Sequence, residues 1–177
     1  MIADAGSPEG SIQSSQAHWY ALYTRARHEK RVAEQIERRR LSCFLPMYRS
    51  VRRWRDRRKE LQLAIFPGYV FVQMSLSSKL QVLEVPGVVQ FVSFNGKPAA
   101  LPAEEIEALR SRLSDSGKVE PHPYLRAGRK VRVRSGPFQG LEGILLRRKD
   151  RCRFIFSIDL IQRSLAIEVD EADLEAA

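Results

Sequence analysis

The sequence is poor in the residues on which metal sites and membrane proteins depend. It has two cysteines and three histidines in 177 residues, and none has a second ligand at metal-binding spacing. No apolar run approaches the roughly 20 residues needed to span a membrane, and the N-terminus has no apolar signal core. We therefore expect a cytoplasmic protein without a metal, another cofactor or a membrane contact.

Catalytic motifs are also missing from the sequence. His18, His28 and His122 have no cysteine or acidic partner at a recognisable spacing, and neither a phosphate-binding glycine loop nor a nucleophile elbow is present. Cys43 and Cys152 are far apart in the chain, and we expect both to be buried, reduced thiols. The sequence thus predicts a protein that binds partners and is not an enzyme.

Positive charge is concentrated in one part of the chain. The 30 basic and 21 acidic residues give a net charge of +9. Residues 17–60 contain 14 basic and 5 acidic side chains and so account for the whole excess. A localised positive field is typical of proteins that bind polyanions such as nucleic acid. A solvated helix face next to an arginine-rich hairpin would give the same composition, and the sequence leaves both interpretations open.

The first half of the chain predicts alternating strands and helices. Residues 1–16 are rich in serine and glycine, lack periodicity and are expected to be a disordered tail. Residues 19–24 predict a strand, and the next segment predicts a helix with Val32, Ala33 and Ile36 on its buried face. After Pro46, two strands joined by an arginine-rich connection predict a protruding hairpin.

Further helices and strands complete an N-terminal domain of residues 17–113. The segment SSKLQVLEV predicts a second helix with a stripe of Leu76, Leu80 and Leu83, and VVQFVSF predicts another strand. A third helix opens at Pro102. Its expected buried residues are Ile106, Leu109 and Leu113. This order indicates an α+β fold with helices packed on a sheet.

The last third of the chain predicts a separate, small all-β domain. Residues 114–124 are a linker by composition, because Pro121 and Pro123 favour extended backbone. Residues 125–177 contain short strands and a Gly-Pro turn without a helical period, which predicts a β-barrel. The many β-branched residues favour a barrel that is already formed in the free protein. We expect residues 114–124 to tether it without folding it onto the aromatic residues of the N-terminal domain.

The stretch FPGYVFVQM, residues 66–74, raises the question of what its aromatics contact. Pro67-Gly68 bends the chain into a strand, where alternation sends Tyr69 and Phe71 to one face and Val70 and Val72 to the other. If the valines face the helices, the aromatics form a patch of the kind that usually binds a partner. If the aromatics face the core instead, another helix must cover the valines.

The strand WYALYT, the basic helix, FPGYVFV, VPGVVQFV and the terminal GRKVRVRSGPFQGLEG together resemble the NusG family of transcription elongation factors. The resemblance runs from Trp19 to the C-terminus and implies an NGN domain, a linker and a KOW domain. The stretches RRWRDRRKEL and SIDLIQRSLAIEVD look more like the specialised paralogues UpxY and RfaH than like housekeeping NusG.

The resemblance also implies partners and site residues. It implies that an aromatic patch docks on the clamp helices of the largest RNA polymerase subunit, and that three arginines contact the non-template DNA strand. The implied polymerase-binding residues are Tyr23, Phe66, Tyr69 and Phe71. The implied DNA-binding residues are Arg25, Arg27 and Arg31. For Arg38, Arg39 and Arg40, a solvated helix face is a serious alternative.

For the KOW domain the resemblance implies recruitment of a small-subunit ribosomal protein or a termination factor. The implied contact lies at Leu160 and Ile161, which would equally suit the core. We expect a monomeric transcription elongation and antitermination factor. The alternatives are a ribosome-associated or RNA-binding KOW protein, and a regulator or scaffold that uses the aromatic patch alone. The first would need basic residues concentrated in residues 125–177, which contain 11 basic and 8 acidic side chains.

Overall fold

The computed structural model describes residues 16–54, 57–113, 119–125, 127–148 and 151–177. The predicted disordered tail therefore lies outside the described residues except for its last position, as does the first part of the predicted linker. In the described ranges, every helix falls short of the length and apolar character that a membrane crossing requires.

The N-terminal domain has the predicted α+β character. Its helices are α1 (Glu29–Arg38), α2 (Lys79–Leu83) and α3 (Ala103–Arg112). Its strands are β1 (His18–Thr24), β2 (Ser42–Phe44), β3 (Met47–Trp54), β4 (Arg57–Ala64), β5 (Tyr69–Met74), β6 (Val88–Phe91), β7 (Ser93–Phe94), β8 (Lys97–Pro98) and β9 (Ala100–Leu101).

The central sheet of this domain is antiparallel and has five strands in the order β2-β5-β1-β6, with β9 also paired to β1. Helix α1 packs on one face and buries Val32, Ala33 and Ile36, as predicted. Helix α3 covers the other face with Ile106 and Leu109. The sheet is therefore covered by helices on both faces.

Trp19 fixes α3 against the sheet. Its side chain is fully buried, and its indole Nε1–H donates a hydrogen bond of 3.1 Å to Glu107 Oε1 on α3. The guanidinium of Arg110, one turn further on, lies 5.8 Å from the centre of the indole ring. The polar edge of a buried tryptophan thus has its partner, and the ring face has a cation.

Strands β3 and β4 form a two-stranded antiparallel sheet of their own. This confirms the predicted hairpin, whose connecting residues 55 and 56 lie outside the described residues. The second predicted helix is different. It is a 3₁₀ turn, Leu76–Ser78, followed by only five residues of α-helix. Val82 in this helix and Val85 just after it are buried, whereas Leu76 and Leu80 are exposed, so the predicted leucine stripe is wrong.

The C-terminal domain is a six-stranded antiparallel sheet. Its strands are β10 (Val119–His122), β11 (Arg129–Val133), β12 (Glu142–Arg148), β13 (Arg151–Ile158), β14 (Arg163–Val169) and β15 (Leu174–Ala176), in the order β10-β14-β13-β12-β11-β15. Within the described residues the edge strands β10 and β15 do not pair with each other, so the expected barrel is not closed.

Strand β10 lies inside the predicted linker. It pairs with β14 from Val119↔Ile167 to His122↔Ser164 and so belongs to the C-terminal sheet. Pro121 is compatible with this strand because β10 is an edge strand, where a missing N–H leaves no ladder bond unmade.

One buried apolar cluster includes residues of both domains. It contains Phe66 and Phe71 of the N-terminal domain together with Phe154, Ile158 and Ile161 of the C-terminal domain. We call it the interdomain cluster. The C-terminal domain is therefore not separate from the domain that carries the aromatic residues, because one buried apolar cluster is continuous between the two.

Candidate binding surface of the N-terminal domain

Strand β5 presents its valines and its aromatics to opposite faces of the sheet. Val70 and Val72 are fully buried with Ile36 of α1. Tyr69 and Phe71 lie on the other face, in or against the interdomain cluster. Of the two arrangements that the sequence left open, the buried Phe66 and Phe71 fit the one in which the aromatics belong to the core and a helix covers the valines. Tyr23 and Tyr69 remain partly exposed.

The aromatic residues on this face form two sets of ring contacts. Tyr23 lies directly opposite Tyr69 in the β1–β5 ladder, and their ring centroids are 5.6 Å apart. Phe66 meets Phe71 edge to face at 5.9 Å, and Phe44 stacks on Phe71 at 6.1 Å. No pattern in the sequence indicated Phe44, because the strand that carries it has only three residues.

Exposure divides this group in two. Phe66 and Phe71 are fully buried, whereas Tyr23 is 44% exposed and Tyr69 is half-buried. The two tyrosines, which we call the tyrosine pair, therefore present aromatic surface to solvent in this conformation, and Phe44 is half-buried beside Phe71. Phe66 and Phe71 form the base on which the pair rests.

The bend at Gly68 holds the tyrosine pair in place. The Gly68 carbonyl accepts a hydrogen bond of 2.8 Å from the N–H of Thr24, and the Gly68 N–H donates one of 2.8 Å to Glu29 Oε1. The φ angle of Gly68 is +85°, a left-handed conformation that favours glycine. A Cβ atom here would lie 3.4 Å from the Tyr23 ring.

Three arginines follow the tyrosine pair in the chain. Arg25 and Arg27 lie in the turn after β1, Arg31 lies on α1, and all three are exposed. The turn is fixed by a hydrogen bond of 2.8 Å from the Arg25 N–H to the Gly87 carbonyl. Within the part of the chain that the structure describes, none of the three guanidinium groups has an ion-pair partner. We call these residues the arginine cluster.

Arg39 has a structural contact that the other basic residues at the end of α1 lack in the described ranges. Its guanidinium donates a hydrogen bond to the backbone carbonyl of Gln81 on α2. Arg38 and Arg40 are exposed. Arg39 is half-buried and links α1 to α2, so a solvated helix face does not describe it.

The predicted partner contact of the C-terminal domain lies in a 3₁₀ turn, Asp159–Ile161. Ile161 is 5% exposed and belongs to the interdomain cluster, and Leu160 packs against that cluster. Tyr124 supports the turn, since its hydroxyl donates a hydrogen bond of 2.9 Å to Asp159 Oδ1. Both apolar side chains thus pack within the protein in this conformation.

Two carboxylates come close to each other where the domains meet. Burial raises the pKa of Glu105 on α3, and the negative charge of Asp159 raises it further. Both effects disfavour the ionised form, the first by removing water and the second by repulsion. The contact between the domains therefore includes an acidic group that favours protonation.

Several apolar residues are exposed in the structure although the sequence patterns did not indicate it. Leu76 and Leu80 are 44% and 72% exposed, and Phe94 is 71% exposed in the short β7–β8 hairpin. The turn of that hairpin could be predicted from Asn95-Gly96, which has positive φ angles of 49° and 76°. The exposure of Phe94 follows from its place next to this turn.

The two cysteines differ in environment. Cys43 is buried, and burial, together with the Glu37 carboxylate, raises the pKa of its thiol to about 12. Cys152 is only half-buried, so the prediction that both thiols are buried is wrong for this one. Both are free thiols.

Comparison with known proteins gives consistent matches. A family model described as "Transcription termination factor nusG" matches residues 17–110. The transcription termination/antitermination protein NusG of Buchnera aphidicola is 28% identical over 92% of this chain and 98% of its own length. The protein of the same name from Escherichia coli K12 is 27% identical over 93% of this chain and 99% of its own.

A solved structure, "Domain interaction in Thermotoga maritima NusG", superimposes with a TM-score of 0.60 and 22% identity, and the match covers 91% of this chain and 97% of that one. The two-domain architecture and these matches define a non-catalytic transcription factor of the termination and antitermination class. The chain belongs to the NusG family.

Proposed function

We propose that the protein binds elongating RNA polymerase through the tyrosine pair and contacts the non-template DNA strand through the arginine cluster. The single observation that carries this proposal is the position of the two groups. The exposed Tyr23 ends an aromatic face, and three exposed arginines without an ion-pair partner among the described residues follow it, the first of them two residues later. Aromatic side chains and arginine are enriched in protein interfaces, and arginine also binds phosphate.

On the polymerase side, the tyrosine pair docks on the clamp helices of the largest subunit, with Phe66 and Phe71 completing the apolar surface. Binding that favours the closed clamp shifts the enzyme toward that state, and pausing or termination is thereby suppressed. The curated relatives, which carry the name transcription termination/antitermination protein, support this assignment.

On the DNA side, Arg25, Arg27 and Arg31 contact the displaced non-template strand. A guanidinium pairs with phosphate bidentately and stacks on an unpaired base, so arginine suits single-stranded DNA. The absence of ion-pair partners for these three side chains within the described residues supports the proposal, because the charge is available to a ligand.

The C-terminal domain recruits a second partner, a small-subunit ribosomal protein or a termination factor, through Leu160 and Ile161. Ile161 is buried in the same cluster as Phe66 and Phe71. Full engagement of either partner therefore requires that the two domains separate at the interdomain cluster. The polymerase and the second partner then each stabilise the separated form.

We further propose that the protein works as a cytoplasmic monomer and is closer to the RfaH and UpxY paralogues than to housekeeping NusG. The arginine-rich hairpin supports the second point. The alternative of an RNA-binding KOW protein is less well supported. Two of the basic residues in the C-terminal sheet are neutralised by ion pairs, Arg132 with Glu142 and Arg153 with Glu120.

The experiment that tests this function is affinity purification of the full-length tagged protein, followed by sucrose-gradient separation of polymerase and ribosomal fractions. We expect RNA polymerase subunits to copurify and the protein to sediment with them. Exclusive sedimentation with ribosomes would contradict the proposal and favour the alternative.

A further inference from the structure

The β3–β4 hairpin is a free-standing ribbon, which we call the arginine ribbon. Each strand has eight residues, and the two pair without a gap from Met47↔Ala64 to Trp54↔Arg57. At about 3.4 Å per residue, the ribbon is about 25 Å long. Within the described residues, neither strand pairs with any other strand.

The base of the ribbon is firmly held. The Ile65 N–H donates a hydrogen bond of 2.9 Å to the Pro46 carbonyl and so extends the ladder by one step. Ile65 and Phe66 are buried in the interdomain cluster, and Tyr48 packs against it. The packing at its base therefore fixes the direction in which the ribbon projects from the domain.

The outer part of the ribbon has no apolar support among its described side chains. Arg49, Val51, Arg58, Lys59 and Glu60 are all exposed, and Val51 is 60% exposed. An isolated two-stranded ribbon is marginally stable in water at best. A ribbon of this length without a covering layer is thus better suited to contact a partner than to stabilise the domain.

The positive charge of the arginine ribbon does not help the ribbon to fold. Residues 47–64 contain seven basic and two acidic residues. The register places Arg52 opposite Lys59 and Arg53 opposite Arg58. Among the side chains that the structure describes, Arg49, Arg58 and Lys59 are exposed and basic, so the ribbon offers positive charge to a polyanion.

We propose that the arginine ribbon inserts into the major groove of duplex DNA. The major groove of B-form DNA is about 12 Å wide and admits a two-stranded β-ribbon, with basic side chains reaching the phosphates on both sides. The major groove of A-form RNA is deep and narrow and excludes side chains. Binding of single strands depends on successive aromatic platforms, and the sequence of the ribbon beyond Tyr48 has one aromatic, Trp54.

This site is separate from the arginine cluster proposed above to contact the non-template strand, and it binds a different form of DNA. The inference goes beyond the proposed function and does not require polymerase. The duplex would lie beside the bound enzyme, and the phosphate contacts would add affinity without regard to sequence.

The test is fluorescence anisotropy of a labelled 25-base-pair DNA duplex with the full-length protein in the absence of polymerase. The variant Arg49→Ala/Arg58→Ala/Lys59→Ala removes three exposed charges of the ribbon. Each lost phosphate contact lowers the slope of log affinity against log salt by about 0.9, so we expect a slope reduced by about 2.7 and an affinity lower by about tenfold or more.

The matched control is Arg129→Ala/Lys130→Ala/Arg163→Ala, which removes the same charge from exposed positions of the C-terminal sheet. We expect it to retain the slope to within about one unit. Competition separates the grooves, since a major-groove ligand such as methyl green should displace the protein and a minor-groove ligand such as netropsin should not.

Thermal unfolding of both triple variants shows whether they fold. If the ribbon variant unfolds, the single substitution Arg58→Ala, with Arg58→Lys as the charge-conserving rescue, takes its place. Equal losses in ribbon and control variants would overturn the proposal. So would displacement by the minor-groove ligand alone, or tighter binding to single-stranded DNA or an RNA duplex of the same sequence.

Discussion

The carboxylate of Glu29, in the first turn of α1, accepts a hydrogen bond of 2.8 Å from the backbone N–H of Gly68. Gly68 is the residue before β5, and its carbonyl accepts from Thr24 at the end of β1. One side chain therefore joins the helix, the bend and the strand that carries Tyr23. This connection holds the tyrosine pair next to the arginine cluster.

We predict that Glu29→Ala lowers the free energy of unfolding by about 2 kcal/mol, because a hydrogen bond to a charged acceptor contributes about 1.5–3 kcal/mol. The control is Glu34→Ala on the same helix, where the side chain is exposed. Urea unfolding measures the free energy of unfolding of both variants, and the dependence of that free energy on urea concentration should be unchanged. A loss of the same size in the control would show that the charge of the helix, and not the bond to Gly68, is responsible.

The cysteines should differ in reactivity. Because the pKa of Cys43 is raised to about 12, its thiol stays protonated at pH 8 and does not act as a nucleophile. We expect one fast-reacting thiol per chain with Ellman's reagent in the native protein, and two in denaturant. Cys152→Ser should remove the fast phase. A native protein with two fast thiols would contradict the burial of Cys43.

The contact between the domains should depend on pH. The folded-state pKa of Glu105 is raised above its ordinary value of 4.5, so the folded protein keeps this proton at pH values where the unfolded chain has lost it. Stability then decreases as pH rises from 4.5 through the folded-state pKa. Glu105→Gln removes this contribution.

We therefore predict that the stability of Glu105→Gln relative to the wild type increases with pH over that range and is constant above it. Urea unfolding at a series of pH values measures the difference. Glu104→Gln, which changes an exposed neighbour on the same helix, is the control. A pH-independent difference for Glu105→Gln would argue against a raised pKa of Glu105 in the folded protein.

Local patterns predicted the N-terminal domain well. The stripe of Val32, Ala33 and Ile36 and the alternation along β5 both depend on neighbouring residues, and the structure confirms them. The leucine stripe of the second helix was wrong because the segment is too short for a helical period. Val82 and Val85 are buried instead.

Long-range pairing could not be predicted in the same way. The ladder between Val119–His122 and β14 connects residues more than 40 positions apart. The two prolines of this segment, Pro121 and Pro123, instead predict a linker without strand pairing. The burial of Phe66 and Phe71 with Ile161 depends on how two domains meet. The local sequence around these residues does not show which distant segments they will contact. The prediction from sequence therefore overestimated how much of the aromatic face is accessible.

The arginine cluster leads to a salt-dependent prediction. We expect Arg27→Glu/Arg31→Glu to weaken binding to an elongation complex with an exposed non-template strand, and this loss should shrink as salt rises. The control Arg129→Glu/Arg163→Glu changes the same charge on the C-terminal sheet. The cluster variant itself should bind elongation complexes with equal affinity whether or not the non-template strand is exposed. A cluster variant that binds both complexes like the wild type at low salt would exclude the DNA contact.

The central claim is that the tyrosine pair binds RNA polymerase, and the most direct test is the affinity of Tyr69→Ala for a reconstituted elongation complex. We predict a loss of about 2 kcal/mol, or about 30-fold, which is typical of an aromatic hot spot. Phe94→Ala, which removes an exposed aromatic from the β7–β8 hairpin, should bind like the wild type. Wild-type affinity of a folded Tyr69→Ala variant, or an equal loss in Phe94→Ala, would contradict the claim.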